Sequence, residues 1–213
     1  MQRMLPGVPL YVTRVPSGAE VTSETLQQMA GQITGAASLL PQAQNFGVIG
    51  YGCTSGTAQI GPDRIAHLVG DGATTANVSE PVSALQAACA HLGIKRLAFL
   101  SPYIEDVSEK LRDVLAKGGV QTPVFGSFAE AVEANVVRIS GPSIIAAATD
   151  LCRSADVDAL FLSCTNLRTL DVIDPLEQAI GLPVLSSNQV LAWHMARLGA
   201  VTAKGPGRLF TPA

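Results

Sequence analysis

The sequence has few charged and few aromatic residues. Charged side chains make up 15% of the 213 residues and aromatic ones 5%, and the net charge is −3. Lys and Arg form no cluster, so the chain lacks the basic surface of a nucleic-acid-binding protein. No apolar run approaches the ~20 residues of a membrane-spanning helix, and the N-terminus has no signal-peptide core. We therefore expect a cytoplasmic globular protein with neither nucleic acid nor membrane as a partner.

Cysteine is scarce as well. The four cysteines include no CxxC pair, so the common zinc-binding spacings are absent and we expect no metal. The three histidines fall in predicted helices, where surface or core roles are the simplest interpretation. In a cytoplasmic chain we expect free thiols rather than disulfides. Cys89 and Cys152 lie among Ala and Leu in predicted helices and are expected to pack in the core.

The other two cysteines occupy a repeated motif. Residues 48–56 and 159–166 each contain an apolar run, a small residue, Cys-Thr and a further small polar residue. The apolar runs indicate buried strands. The polar residues after them indicate a turn into a helix, where free N–H groups and the helix dipole favour a thiolate. We expect Cys53 and Cys164 to be catalytic thiols that face one ligand.

Strands and helices alternate along the chain, which is typical of βαβ units and parallel sheets. The motif and its surroundings occur twice, so the sequence predicts an α/β fold of two pseudo-symmetric lobes with parallel sheets flanked by helices. The active site is then expected between the lobes, at the carboxyl ends of the strands. Strands are predicted at 8–15, 48–52, 73–76, 96–103, 122–125, 159–163 and 183–186. Helices are predicted at 24–40, 64–69, 81–92, 107–116, 142–151, 175–180 and 189–198.

The repeat also predicts the division of the chain. Residues 1–94 form lobe one, 95–188 form lobe two, and 189–213 form a C-terminal helix and tail. Lobe two opens with a strand and a helix before its strand at 122–125. Lobe one has no counterpart of that opening pair before residue 8. We expect lobe one to lack a first strand and helix of roughly 25–35 residues, judged by the size of a βαβ unit.

Several polar residues near the motif are candidates for substrate binding, and each has a structural alternative. The hydroxyl and amide groups that follow the cysteines can cap helices or bind a carboxylate. Tyr103, at the end of a predicted strand, is either a packed aromatic residue or a carboxylate donor. Asn135 is ambiguous on chemistry alone, and Arg14 and Arg168 are expected on the solvated surface. The candidates after the cysteines are Thr54, Ser55, Thr165 and Asn166.

Two thiols on opposite sides of a small carbon acid suit one kind of chemistry. One thiolate attacks or deprotonates a carbon next to a carboxylate, and the other thiol moves a proton on the opposite face. Neutral donors hold the carboxylate and stabilise the developing enediolate. A non-catalytic sensor of carboxylates on the same fold is the competing interpretation, because it needs the cleft but not both thiols.

The chain resembles the aspartate/glutamate racemase superfamily. Residues 50–56 and 163–166 are similar to the maleate cis-trans isomerase branch, which includes arylmalonate decarboxylase. Residues 101–107, 135–138 and 207–210 resemble that branch's substrate-tyrosine, asparagine and C-terminal segments. Residues 187–194 are similar to a branch member of ectoine breakdown. The chain differs from the branch at the N-terminus. Branch members have a strand there, followed by a Pro-Ser-Ser-Asn-Thr type turn that contacts the substrate carboxylate, and this sequence has no such turn.

The resemblance implies a cofactor-independent isomerase that converts maleate to fumarate. Decarboxylases of the branch have glycine at the first cysteine position, so Cys53 favours isomerase or racemase chemistry. By resemblance Cys53 is the nucleophile and Cys164 the proton donor and acceptor, and the two carboxylates are held by Tyr103, Asn135, Thr54, Ser55, Thr165 and Asn166. A racemase of aspartate, glutamate or a diaminobutyrate derivative would use the same thiols. The resemblance also implies a homo-oligomer that acts on a small carboxylate or dicarboxylate.

Overall fold

The structure, a computed structural model, describes residues 1–211. Within that range the chain forms six β strands and ten α helices, and a short 3-10 helix at Arg208–Phe210. The strands are β1 (Ile49–Gly50), β2 (Val78–Ser79), β3 (Arg96–Tyr103), β4 (Gln121–Glu130), β5 (Ala159–Leu162) and β6 (Val184–Ser186). The helices are α1 (Ser23–Gln28), α2 (Ala30–Ser38), α3 (Thr54–Ile60), α4 (Pro62–Gly70), α5 (Pro81–Leu92), α6 (Glu105–Lys117), α7 (Glu133–Val136), α8 (Gly141–Cys152), α9 (Ile173–Ile180) and α10 (Ser187–Leu198).

The strands form two parallel sheets. The smaller sheet pairs β1 with β2, so that Ile49 lies opposite Val78. The larger sheet has the order β4-β3-β5-β6, and every pair in it is parallel. Helices connect successive strands, as parallel pairing requires. The predicted α/β fold with parallel sheets flanked by helices is confirmed.

The larger sheet is buried on both faces. All four residues of β5 are buried, and every residue of β3 except Arg96 is buried. The rings of Phe99 and Phe161 pack between these strands with their centroids 5.5 Å apart. Strands that helices cover on both sides need a continuous apolar sequence, which the sequences of β3 and β5 provide.

Helix α10 links the two sheets. It follows β6 directly and packs along α5, where Trp193 joins Val82 and Leu85 in one apolar cluster. It also passes close to β1, since a Cβ on Gly50 would lie 2.5 Å from Sδ of Met195. Glycine at position 50 therefore permits the close approach of helix and strand.

Four local predictions need correction. Residues 8–15 form no strand. Tyr11 and Val12 are 52% and 85% exposed. No neighbouring strand is present to form backbone hydrogen bonds with this segment. The strand predicted at 73–76 lies at Val78–Ser79 instead. Helix 24–40 is divided at Met29, the boundary of α1 and α2, and β4 extends well beyond 122–125.

The division of the chain at residues 94 and 188 stays a prediction. Among residues 1–211, no helix is both long enough and apolar enough to cross a membrane.

Two glycines provide a matched test of the helix boundaries. Gly93 ends α5 with φ of +69°, and a Cβ there would meet no atom within 4 Å. Gly93→Ala should therefore destabilise the fold by about 1–2 kcal/mol through backbone strain alone. Gly31 lies inside α2, also with open space around it, and Gly31→Ala should stabilise by about 0.5–1 kcal/mol. Urea unfolding measures both, and equal signs would contradict these helix boundaries.

Candidate active site

Cys53 lies at the carboxyl end of the small sheet. It is the N-cap residue of α3, and its Sγ accepts a hydrogen bond from the backbone N–H of Gly56 at 3.3 Å. A Cβ on Gly56 would lie 2.9 Å from this sulfur, so glycine allows the sulfur to approach the helix backbone. The predicted strand-to-helix turn at Cys53 is confirmed.

Cys164 lies in a different local structure. It follows β5 by two residues and has φ of +93°, which is uncommon for a residue other than glycine. No helix begins there, because α9 starts only at Ile173. The expected strand-to-helix turn at Cys164 is wrong, since the chain first buries Leu167 in the core and only then turns helical. The sulfur instead accepts from the backbone N–H of Asn166 at 3.2 Å and contacts the Tyr103 hydroxyl at 2.7 Å.

A buried serine joins the two cysteine turns. Ser187, the first residue of α10, accepts a hydrogen bond from the Thr54 hydroxyl at 2.8 Å and another from the backbone N–H of Cys164 at 3.0 Å. A second link runs from the Thr165 hydroxyl to the carbonyl of Gly52 at 2.9 Å. Sequence reasoning missed the role of Ser187, although the run of small polar residues after β6 was its signal.

Asn188 completes this set of contacts. Its amide Nδ2 donates to the carbonyl of Thr165 at 2.7 Å, so the loop after Cys164 is held from α10 as well. Both cysteine segments are therefore positioned by the start of one helix, which follows the last strand of the larger sheet.

A cavity of about 310 Å³ opens beside these turns. Its polar end is lined by Cys53, Ser55, Tyr103, Glu133, Thr165 and Asn166. Its apolar part is lined by residues of α2, α4 and β1, among them Ile33, Val69 and Ile49. Cys164 is 3% exposed and is connected to the cavity through Tyr103. The structure thus brings both thiols and four of the predicted binding residues to one place.

Two predicted binding residues lie elsewhere. Thr54 is buried, and its hydroxyl is engaged by Ser187. Asn135 is on the short helix α7, outside the cavity lining, whereas Glu133 at the start of the same helix does line it. Residues two apart on a helix point in different directions, which explains why one reaches the cavity and the other does not.

Glu133 was not predicted as a site residue. Its carboxylate accepts a hydrogen bond from the side-chain amide of Asn166, and its Oε2 lies 3.5 Å from the Tyr103 hydroxyl. It therefore occupies donors that were expected to hold a substrate carboxylate. In the sequence it is one of two glutamates, with Glu130, in a connection between predicted elements, a pattern that does not distinguish it from a surface carboxylate.

Burial dominates the protonation of both thiols. Desolvation raises the pKa of Cys53, and it raises the pKa of Cys164 to about 12. The hydrogen bonds to each sulfur lower the pKa, but the negative charge of Glu133 raises it further. The expectation of lowered thiol pKa values is therefore wrong, because backbone donors do not offset the loss of water and the nearby charge is negative.

The remaining cysteines have different surroundings. Cys89 is 1% exposed within the apolar cluster around α5, and burial raises its pKa to about 12. Cys152 is half-buried at the end of α8. Within residues 1–211, no group of three His, Cys, Asp or Glu side chains is placed to hold a metal ion.

The sequence matches known proteins along most of its length. A family model described as arylmalonate decarboxylase matches residues 17–210. The arylmalonate decarboxylase of Bordetella bronchiseptica is 38% identical over 128 residues, which are 56% of this chain and 51% of that protein. The maleate isomerase of Nocardia farcinica is 29% identical over 172 residues, 76% of this chain and 68% of that protein. The first match thus spans about half the relative's length.

Solved structures share the fold. A liganded double mutant of arylmalonate decarboxylase superposes with a TM-score of 0.87 at 26% identity, over 100% of this chain and 92% of that chain. A cysteine-to-serine mutant of the Nocardia farcinica maleate cis-trans isomerase, with a covalently bound succinylcysteine intermediate, superposes with a TM-score of 0.80 at 26% identity. That match covers 96% of this chain and 87% of the isomerase.

The charge of Glu133 makes a testable contribution to thiol reactivity. Because its carboxylate raises the pKa of Cys53, Glu133→Gln should lower that pKa and increase the thiolate fraction. Alkylation of Cys53 by iodoacetamide, followed by mass spectrometry across pH, should shift to lower pH and be several-fold faster near pH 8. Glu130→Gln is the matched control, since Glu130 does not line the cavity. An equal shift in both variants would contradict the assignment.

Proposed function

Because the chain belongs to the arylmalonate decarboxylase family, we propose that it is a cofactor-independent enzyme that uses Cys53 and Cys164 on a small carboxylate substrate. One observation carries the proposal: a single buried hydroxyl, that of Ser187, fixes the turns of both cysteines beside one cavity. Two thiols at the carboxyl ends of parallel strands are placed where α/β proteins bind ligands.

The reaction we propose is cis-trans isomerisation of maleate to fumarate. The Cys53 thiolate adds to one alkene carbon and forms a C–S bond, while the π electrons move toward the neighbouring carbon and its carboxylate. The Cys164 thiol gives its proton to that carbon, which leaves a succinyl thioether and a Cys164 thiolate. Rotation about the new single bond precedes the reverse steps. Cys164 takes the proton back, and the C–S bond breaks to release fumarate.

The polar end of the cavity fits the two carboxylates of such a substrate. The Tyr103 hydroxyl and the Asn166 amide are neutral donors, and the Ser55 hydroxyl lies close to the Cys53 sulfur at 3.8 Å. Neutral donors of this kind can stabilise a developing enediolate without a metal. A bound carboxylate would take the place that Glu133 holds between Tyr103 and Asn166.

Racemisation at a carbon next to a carboxylate is the second candidate. It uses the same two thiols as acid and base on opposite faces of one carbon, and substrates range from aspartate to a diaminobutyrate derivative. It rests on the two cysteine turns joined through Ser187 beside one cavity, because a racemase needs one thiol as acid and the other as base. Decarboxylation, the activity named for the Bordetella relative, needs a single proton-donating cysteine and leaves Cys53 without a role.

A proton NMR assay in D2O distinguishes these reactions. Maleate, L-aspartate, a diaminobutyrate derivative and phenylmalonate are incubated separately with the purified protein. We expect fumarate from maleate. Deuterium at Cα, together with loss of optical rotation in a parallel polarimetric measurement, would make the enzyme a racemase. Phenylacetate signals from phenylmalonate would make it a decarboxylase. Binding of these acids without any turnover would favour the carboxylate sensor.

Removal of either thiol tests the two-cysteine mechanism. Cys53→Ala and Cys164→Ala should each reduce turnover by at least about 10³-fold, since each thiol carries a separate step of the proposed mechanism. Cys152→Ala is the control, because Cys152 is half-buried at the end of α8 and outside the cavity lining. Circular dichroism confirms that the variants are folded. Substantial activity in either active-site variant would contradict the mechanism.

The raised pKa of Cys53 predicts the pH dependence. Attack requires the thiolate, so log kcat/KM should rise with pH with a slope near one through the neutral and mildly alkaline range. Cys164 must be protonated to donate, and its pKa of about 12 predicts no falling limb in that range. The profile is measured with maleate at saturating and limiting concentrations. A bell-shaped profile centred near neutrality would show that the two thiols have lower pKa values than the structure indicates.

A further inference from the structure

Tyr51 is a buried tyrosine of the site that has no role in the proposed mechanism. It follows β1 directly, is buried and lines the cavity together with Cys53. Its backbone N–H donates to the carbonyl of Ser79 at 2.9 Å, and the chain is still extended at Cys53. Side chains two residues apart in an extended chain point to the same side. The sequence therefore brings the Tyr51 hydroxyl and the Cys53 thiol to one face of the chain.

Gly56 leaves room for both of these groups. A Cβ at this position would lie 2.7 Å from the Tyr51 hydroxyl oxygen and 2.9 Å from the Cys53 sulfur. Both atoms therefore lie against the same point of the first turn of α3. Any side chain at position 56 would displace one or both of them, so glycine allows the hydroxyl and the thiol to lie beside each other.

The Tyr51 hydroxyl has only a weak partner in the ligand-free protein. Among residues 1–211 it donates a hydrogen bond to the thioether sulfur of Met29 at 3.9 Å. A thioether is a weak acceptor, and a hydroxyl can rotate its hydrogen toward a better one. Buried polar groups usually have a good partner. A buried hydroxyl that lacks one and lies beside a thiol of the site indicates a role beyond packing.

The second cysteine motif shows that packing does not require this hydroxyl. Leu162 occupies the matching position two residues before Cys164, and it is fully buried. An apolar side chain therefore fills such a position well. At Cys164 a hydroxyl comes from another strand, since the Tyr103 oxygen at the end of β3 lies 2.7 Å from the Cys164 sulfur. Each thiol thus has one tyrosine hydroxyl beside it, and each hydroxyl comes from a different position in the fold.

We propose that the Tyr51 hydroxyl is the donor that stabilises the Cys53 thiolate, turning from Met29 to the sulfur when the thiol loses its proton. This role rests on Cys53 being the nucleophile of the proposed function. Burial, the charge of a Cys53 thiolate and a hydrogen bond to it raise the pKa of Tyr51, so the phenol keeps the proton that it donates. Burial raises the pKa of Cys53, and the hydrogen bond from Tyr51 is among the effects that lower it.

The same donor would act twice in the proposed isomerisation. It stabilises the thiolate before the sulfur attacks the alkene carbon. It does so again when the C–S bond breaks, because the electron pair of that bond returns to the sulfur. In the thioether between these steps the sulfur is neutral, and the hydroxyl is free to return to Met29. The phenol keeps its proton throughout, so Tyr51 acts as a positioned hydrogen-bond donor and not as an acid or a base.

Tyr51→Phe tests this role, since it removes the hydroxyl and keeps the ring. The rate of Cys53 alkylation by iodoacetamide is measured across pH by mass spectrometry. We expect the rate near pH 8 to fall about three- to tenfold and the profile to move to higher pH, because the thiolate loses a donor. Tyr11→Phe is the matched control, since Tyr11 is exposed, and it should leave the profile unchanged. The other titratable side chains that line the cavity are the same in both variants; they are Arg14, Glu20, Tyr103 and Glu133.

A second variant decides if Tyr51→Phe fails to fold, which circular dichroism reports. Met29→Leu removes the competing acceptor at nearly constant volume. The hydroxyl then keeps only the Cys53 sulfur, and alkylation should be as fast as in the wild-type protein or faster. Slower alkylation in folded Met29→Leu, or an unchanged profile in folded Tyr51→Phe, would overturn the proposal. An unchanged profile together with about tenfold weaker binding of succinate would assign the hydroxyl to a substrate carboxylate instead.

Turnover assays distinguish this role from the proposed function. If maleate is converted, its kcat/KM in Tyr51→Phe should fall at least as much as the alkylation rate, while Tyr11→Phe should match the wild-type protein. Slowed alkylation of Tyr51→Phe, with no turnover of any acid by the wild-type protein, would support the role of the hydroxyl and contradict the proposed function. Turnover of maleate with unchanged alkylation in Tyr51→Phe would contradict the role of the hydroxyl alone.

Discussion

The arrangement of the site depends on the buried hydroxyl of Ser187. A buried hydroxyl needs partners, and this one is engaged by the side chain of Thr54 and the backbone N–H of Cys164. The two cysteines lie more than 100 residues apart in the sequence and belong to different sheets. Ser187 begins the helix that packs on both sheets, so the position of one helix terminus sets the relation between the two turns. Loss of this hydroxyl would leave a buried N–H of Cys164 without its acceptor, at a cost of about 1–3 kcal/mol.

Burial and reactivity oppose each other in this site. The close packing that fixes the cysteines also removes the water that would solvate a thiolate, and Glu133 adds a like charge. The proposed substrate would change this balance, because its carboxylate would compete with Glu133 for Tyr103 and Asn166. Hydrogen bonds strengthen when water is excluded, so the same donors can hold an enediolate more firmly than they hold a flexible side chain.

The sequence predicted some elements closely and others poorly. β3 and α5 were predicted with the bounds that the structure has, because a continuous apolar run and a Glu-Pro start with a glycine end are strong local signals. The segment 8–15 has an equally good strand pattern, but a strand also requires a neighbour, which no local pattern reveals. The paired cysteines were found through repetition of a motif. Glu133 and Ser187 act through contacts between distant segments. Glu133 has no signature in the sequence, and Ser187 is marked only by the run of small polar residues after β6.

The two cysteine turns share a sequence pattern but not a conformation, and this difference supports different roles. Cys53 caps a helix, is half-buried and has its sulfur directed to the cavity, so a substrate carbon can approach it. Cys164 is 3% exposed and has the Tyr103 hydroxyl against its sulfur, which leaves little room for a covalent bond to carbon. A buried thiol with a raised pKa holds its proton until a carbanion requires it, whereas an accessible thiol can form a thioether. The local geometry therefore supports the proposed roles, with the nucleophile in the first turn and the proton carrier in the second.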